Sequence, residues 1–173
     1  MSEQVPSTEL SGNYAWIQAL QGVYYGPGSV STALPKLLDT LGASKAFVVT
    51  GNSLYTKVCD SMPDRRPLSS LPLFRYFHIT QTDVVKKVEG ILRDQNRYAD
   101  TFYNIGEHSP ISGIRAGVDA FKKSGADIIV SVGGGSPIDA SKAIIYFLHE
   151  ELGGDFLRQI AIPTTLSAAE YTV

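Results

Sequence analysis

Cysteine is nearly absent from the 173 residues: Cys59 stands alone, which excludes an intrachain disulfide and any cysteine-based zinc site. A lone thiol fits a reducing compartment, and with no base beside it in sequence Cys59 does not read as a nucleophile. Histidine is scarce too. His78, His108 and His149 do not form the spaced helical pair that a metal site wants. Charged residues make up 18% of the chain and the net charge is −2, so neither a nucleic-acid surface nor an electrostatic membrane anchor is expected. No apolar run is long enough to span a bilayer. The N-terminus, MSEQVPSTEL, has no basic start followed by an apolar segment, and it is too acidic for a typical transit peptide. Repeats and low-complexity tracts are also missing. What remains is 43% hydrophobic residues, enough for the core of one domain. The expectation is a soluble cytoplasmic protein.

Apolar strands alternate with amphipathic helices. Residues 14–25 suit a strand or hairpin, with Tyr14, Trp16, Tyr24 and Tyr25 as packing residues, and residues 26–29 make a turn. Leu34, Leu37, Leu38 and Leu41 recur at helical spacing, with Gly42 as a C-cap. KAFVVT, 45–50, is a β-branched run of the kind found in buried parallel strands, and Gly51, Asn52 and Ser53 turn it into a helix. Val84, Val85, Val88, Ile91 and Leu92 form a second helical stripe, with Asp83 expected in its first turn. TFYNI, 101–105, reads as a strand, and Pro110 or Ser112 opens the helix carrying Ile114, Val118 and Phe121. DIIVSV, 127–132, is the clearest buried strand. A helix is expected from about Pro137 through His149, where the histidine suits the C-terminal end, followed by a last strand over 159–162 that Pro163 ends. This order predicts an α/β fold with a mostly parallel Rossmann-like sheet flanked by helices. Its ligands would sit at the carboxyl ends of the strands, at the turns 51–53, 133–136 and 163–165.

The segment VGGGSPIDASKA, Val132 to Ala143, carries the chemistry. A Gly-Gly-Gly turn alone is a tight connection between strand and helix. With a buried strand before it and a helix after it, it becomes a phosphate cradle. Glycines admit a phosphate to the backbone, successive N–H groups converge, and the helix contributes its positive end. Ser136 offers a hydroxyl and Pro137 suits a first helical turn. Asp139 is placed to cap the helix or to hydrogen-bond a ribose or the nicotinamide amide. Lys142 is placed to reach a phosphate or to point to solvent. The pattern is neither Gly-x-Gly-x-x-Gly nor a Walker A loop.

These residues resemble the iron-containing alcohol dehydrogenases. Val132–Ala143 is similar to their GGGSxxDxxKA motif, and IPTTLSAAEYT, Ile162 to Thr172, to their IPTTxxxxxE signature, with Glu170 at the acidic position. VVTGNSL, Val48 to Leu54, resembles the strand-turn after the first helix, and YYGPGS, Tyr24 to Ser29, the family's FGxG-like entry. His108, Ser109 and Pro110 resemble the His-x-Pro of the maleylacetate reductase branch, although a histidine before Ser-Pro is more often a loop residue than a base. The resemblance implies a dehydroquinate-synthase-like fold in which residues 1–173 form the NAD(P)-binding domain of an oxidoreductase. Gly133, Gly134, Gly135 and Ser136 would hold the diphosphate, and Thr164 and Thr165 would line the neighbouring loop. NAD-preferring relatives commonly carry Asp at the position of Gly51. Glycine there removes a reason to reject NADP, while Asn52 remains able to contact the ribose.

The resemblance also places the family's metal ligands, an Asp and several His, in a helical domain after the PTT signature, whereas this chain ends at Val173. That domain is therefore expected to be absent. Iron or zinc is not expected to bind this chain, hydride transfer is not expected from it alone, and exposed apolar surface should favour self-association. Residues 58–81 have no counterpart in the resemblance. Without them SLYTK joins TDVVKKVEGIL as a continuous turn and helix, so the segment reads as translated intron, its Val-Cys start matching a splice donor. The ending, AEYT and one Val, reads the same way. The alternative is a family-specific insertion with its own strand, LFRYFHI, and in either case 58–81 should be a disordered or surface excursion. The competing functional reading is a non-catalytic module that binds a nucleotide or a phosphorylated metabolite.

Overall fold

The β-branched runs and leucine stripes assemble as a four-stranded parallel sheet with helices on both faces. The computed structural model describes residues 11–14, 20–56, 73–106 and 109–172. Strands β1 (Gly12–Tyr14) and β2 (Val23–Tyr25) pair antiparallel as a separate ribbon. Helix α1 (Ser29–Thr40) follows. It closes with bonds from the Gly42 N–H to the Asp39 carbonyl (3.1 Å) and from the Ala43 N–H to the Leu38 carbonyl (2.9 Å), which satisfy its last carbonyls.

The sheet contains β3 (Ala46–Gly51), β4 (Tyr98–Ile105), β5 (Ile128–Gly133) and β6 (Arg158–Pro163), in the order β4-β3-β5-β6. Every neighbouring pair is parallel. Between the strands run α2 (Asn52–Thr56), α3 (Leu73–Asp94), α4 (Ile111–Ser124) and α5 (Gly135–Leu152), and a 3-10 turn, Ala169–Tyr171, follows β6. The two central strands are shielded on both sides, so they read as continuous apolar runs. Ala46, Val48, Val130 and Val132 face Leu34, Leu38, Val85, Val88 and Leu92 of α1 and α3. Phe47, Val49 and Ile129 face Val118, Phe121, Ile144 and Leu148 of α4 and α5. Each buried Val, Leu, Ile or Phe among these contributes up to about 1.5–3 kcal/mol.

From β3 the chain crosses to one side of the sheet, and from β5 it crosses to the other. The carboxyl ends of β3 and β5 therefore border a topological switch point, where parallel sheets take ligands.

Several boundaries differ from the sequence reading: β4 starts at Tyr98 instead of Thr101, and others shift by more than a residue or change an element's type. LFRYFHI belongs to helix α3, not to a strand, and residues 73–94 form one helix, so Asp83 lies within it instead of in its first turn. A short apolar run does not distinguish helix from strand, and here continuity with the Val84–Leu92 stripe goes with helix. Residues 58–72 of the expected insertion lie outside the described residues. Helix α5 begins at Gly135, two residues before Pro137. Strand β6 includes Pro163, which an edge strand tolerates because one side needs no donor.

Candidate functional site

The glycine segment divides sharply: Gly133 ends β5, Gly135 begins α5, and Gly134 alone joins them. Gly133 has φ +147°, and a Cβ there would lie 2.5 Å from Pro137 Cγ and 3.2 Å from Leu54 Cδ1. Only glycine fits, and the Leu54 contact brings the start of α2 against this turn. Gly134 is the N-cap of α5, with no side chain capping the helix. A Cβ on Gly134 would stand 3.1 Å from Thr165 Oγ1, and one on Gly135 would stand 3.5 Å from Ser167. The bare glycine edge and the loop after β6 thus face each other at the positive end of α5, close enough that a side chain on Gly134 would crowd Thr165.

Backbone bonds hold the cleft together. Gly133 lies opposite Pro163, and the Thr164 N–H donates to the Gly133 carbonyl at 2.8 Å, carrying the β5–β6 ladder one step beyond the proline. The Ser109 hydroxyl donates to the Ser136 carbonyl at 2.7 Å, so the loop before α4 joins as well. Gly51 ends β3, and its neighbour Thr50 pairs with Val132, so Gly51 and Asn52 border the switch point beside the glycine turn. A Cβ at Gly51 would meet only Ser53 Oγ, at 3.9 Å, which leaves room for a side chain. Thr164 and Thr165 follow β6 directly.

Asp139 does not cap α5. It is exposed, with Oδ2 3.8 Å from a Cβ position on Gly135 and Oδ1 accepting from Lys142 Nζ at 3.3 Å. Lys142 follows neither expected course: its ammonium donates to the Ala169 carbonyl (2.6 Å) and to Thr172 Oγ1 (2.5 Å). The bond from Ser109 to Ser136 and the partners of Lys142 are not legible in the sequence, because those bonds span 27 to 30 residues. Near this end Thr50 Oγ1 and Glu170 Oε2 are buried and find no hydrogen-bond partner among the described residues.

His149 lies in the last turn of α5, as expected, and stacks on Phe156 at 3.9 Å. Cys59, His108 and Trp16 lie outside the described residues. On α2 and β4, Tyr55 and Tyr103 stack at 4.2 Å. Loss of hydration raises the Tyr55 pKa above 10.0, assisted first by the charge of Glu89. Among the described residues no three His, Cys, Asp or Glu side chains form a group suited to a metal ion, so these residues do not fit the metal that the family carries. No helix among them is long and apolar enough to cross a membrane.

A parallel sheet with a glycine turn and a helix N-terminus at its switch point defines a Rossmann-like α/β domain, a class that takes its ligands at the carboxyl ends of the strands. Residues 72–172 match the sequence profile of the iron-containing alcohol dehydrogenases, and the chain belongs to that family of oxidoreductases. Over 74 residues it is 35% identical to maleylacetate reductase from Rhizobium sp. strain MTP-10005, covering 43% of this chain and 19% of the relative. Over 138 residues it is 25% identical to the bifunctional aldehyde-alcohol dehydrogenase of Escherichia coli K12, covering 80% of this chain and 12% of that protein. Among solved structures, maleylacetate reductase from Agrobacterium tumefaciens superimposes with a TM-score of 0.57 at 24% identity, covering 83% of this chain and 30% of that one. The chain therefore spans less than a third of the length of each of these relatives.

Proposed function

We propose that residues 1–173 form the NAD(P)-binding domain of a metal-dependent alcohol dehydrogenase or maleylacetate reductase-like oxidoreductase. The observation that carries this reading is the meeting of three loops at the switch point, with a glycine edge that side chains would obstruct. Gly133, Gly134, Gly135 and Ser136 would take the diphosphate on backbone N–H groups at the start of α5. Thr164 and Thr165 would close the opposite wall, Gly51 and Asn52 would border the ribose, and Asp139 would stand at the cleft's edge. The bound dinucleotide would supply or accept the hydride. The described residues offer no group to hold a metal that would polarise the carbonyl, so no turnover is proposed for this chain alone. Exposed Leu152, Phe156 and Leu166 provide apolar surface for self-association. A cytoplasmic location is consistent with the single cysteine.

Fluorescence titration with NADH and NADPH tests the reading. Saturable binding that sugar phosphates do not displace is the expected result. Binding of phosphorylated metabolites without either dinucleotide would transfer the site to the phosphometabolite reading. Turnover of alcohol or maleylacetate by the purified chain, supplied with iron, zinc and cofactor, would overturn the assignment of inactivity.

A further inference from the structure

Lys142 belongs to the glycine motif in sequence, yet its charge is committed elsewhere. An ammonium has three protons to donate, and here three acceptors surround it: the Ala169 carbonyl at 2.6 Å, Thr172 Oγ1 at 2.5 Å and Asp139 Oδ1 at 3.3 Å. The Thr172 hydroxyl also donates to the Ala169 carbonyl at 3.0 Å, so lysine, carbonyl and hydroxyl close a triangle. Only 24% of the lysine side chain is exposed. A lysine held in this way has no donor left for a phosphate.

The triangle secures the far end of a loop whose near end is already secured. Residues 164–168 leave β6 with the Thr164 N–H on the Gly133 carbonyl, pass Thr165 and Ser167 in front of Gly134 and Gly135, and reach the 3-10 turn Ala169–Tyr171. Leu166, at the middle of the loop, is fully exposed, and Ala168 adopts a left-handed φ of +57°. Little packing therefore restrains the loop from outside. The glycine edge has no side chains of its own to narrow the cleft, so the cleft keeps its width only while this loop stays in place.

We propose that Lys142 is a positioning residue. It pins the Ala169–Thr172 turn to α5 and so holds Thr164 and Thr165 opposite the glycine edge in the geometry that accepts a dinucleotide, without touching the phosphates. The effect on affinity rests on the dinucleotide reading of the cleft, whereas the pin itself does not. If the pin is lost and the competent loop arrangement falls to about one tenth of the population, the apparent Kd rises about tenfold.

The test uses the full chain, with Lys142→Met and Thr172→Val singly and together. Amide hydrogen exchange is followed at Tyr171 and Thr172, whose N–H groups bond to Ala168 and Ala169, and NADH affinity is titrated alongside. Both single variants should speed exchange at those two amides while β5 stays protected. Both should weaken NADH, and the double variant should be no worse than Lys142→Met. A direct phosphate contact would instead leave Thr172→Val neutral and make the Lys142→Met loss strongly salt-dependent, which would overturn the proposal. Unchanged exchange in both single variants would also overturn it. If the parent chain binds no NADH, the function proposed above fails, and the exchange data alone decide the pin. If Lys142→Met does not fold, Thr172→Val, which removes one hydroxyl, carries the test.

Discussion

The two ends of the same four strands are built in opposite ways. At the amino end, side chains tie distant segments together. Asp127 accepts from the N–H groups of Ser44 (2.7 Å) and Lys45 (2.9 Å), Lys45 Nζ donates to the Asn96 carbonyl (2.8 Å), and Arg97 pairs with Asp39 at 2.6 Å. Arg97 Nη1 in that cluster is buried and finds no partner among the described residues. At the carboxyl end, the ties of Ser109 and Lys142 apart, bare glycine forms the turn, α5 has no side-chain cap, and among the described residues Thr50 Oγ1 and Glu170 Oε2 find no partner although buried. Buried polar groups left unpaired cost stability. The contrast fits a division of labour between an end that holds the sheet and an end that keeps its backbone groups available to a ligand.

The sharpest way to break this contrast is Gly134→Val. Gly133 is a poorer choice, because its φ of +147° and the 2.5 Å approach to Pro137 Cγ would disturb the fold itself. At Gly134 the backbone suits any residue, and a side chain would fill the cleft beside Thr165 Oγ1. Crowding Thr165 in the free fold costs up to about 1–3 kcal/mol of stability, and the same side chain standing where the diphosphate is proposed to lie should weaken NADH and NADPH alike, roughly 100-fold for about 3 kcal/mol of lost binding. Unchanged affinity would remove the glycine turn from the site. The matching change at the other end is Asp127→Ala. It deletes two bonds across more than 80 residues of sequence and should lower unfolding stability by about 1–3 kcal/mol in urea titration, leaving cofactor affinity unaltered. A loss of affinity equal to that of Gly134→Val would abolish the division between the ends.

Which parts of this arrangement the sequence reveals follows from the range of the forces involved. KAFVVT and DIIVSV are legible as central strands because both faces are buried, and burial leaves continuous β-branched runs. The glycine turn is legible because contiguous residues build it. LFRYFHI is not, since a short apolar run fits either period and only its continuation into residues 84–92 reveals the helix. The partners of Lys142 and Asp127 are invisible in sequence because their bonds cross 27 to 83 residues. Lysine in a phosphate-type motif suggests a phosphate contact, and only the position of the turn after β6 shows a nearer set of acceptors. The start of α5 is hidden for a local reason: Gly135 and Ser136 have poor to modest helix propensity, yet Gly134 completes the turn alone.

A smaller effect sharpens the reading of the β3 turn. Gly51 has open space beyond its Cβ position, so Gly51→Asp should fold normally. A carboxylate there would accept from a ribose 2′-hydroxyl and repel a 2′-phosphate. At moderate salt, screening leaves about 1 kcal/mol of discrimination, so NADPH should weaken roughly fivefold relative to NADH. Equal effects on the two dinucleotides would show that this turn does not face the ribose.

The smallest expected effect is a proton on the aromatic flank of the same end. Tyr55 stacks nearly parallel on Tyr103, with 38% and 39% of the two residues exposed. Its phenol is held above the ordinary 10.0 first by lost hydration, then by the charge of Glu89, with Tyr98, Tyr103 and Asp100 adding in the same direction. A raised pKa means that the folded chain holds this proton more tightly than the unfolded chain. The stabilising contribution is therefore complete below pH 10 and fades as pH rises through the folded-state value. More than a third of the residue is exposed, so screening keeps the effect small. Ultraviolet titration of the phenolates should show that Tyr55→Phe removes a component ionising above pH 10.0. Glu89→Gln should move that component down only part of the way, because the larger cause, dehydration under Tyr103, remains. A missing component centred at or below 10.0 would show that the stack leaves Tyr55 hydrated. A full return to 10.0 on neutralising Glu89 would make charge, not burial, the cause, and the carboxyl end would then be more open to water at this flank than its stacked rings suggest.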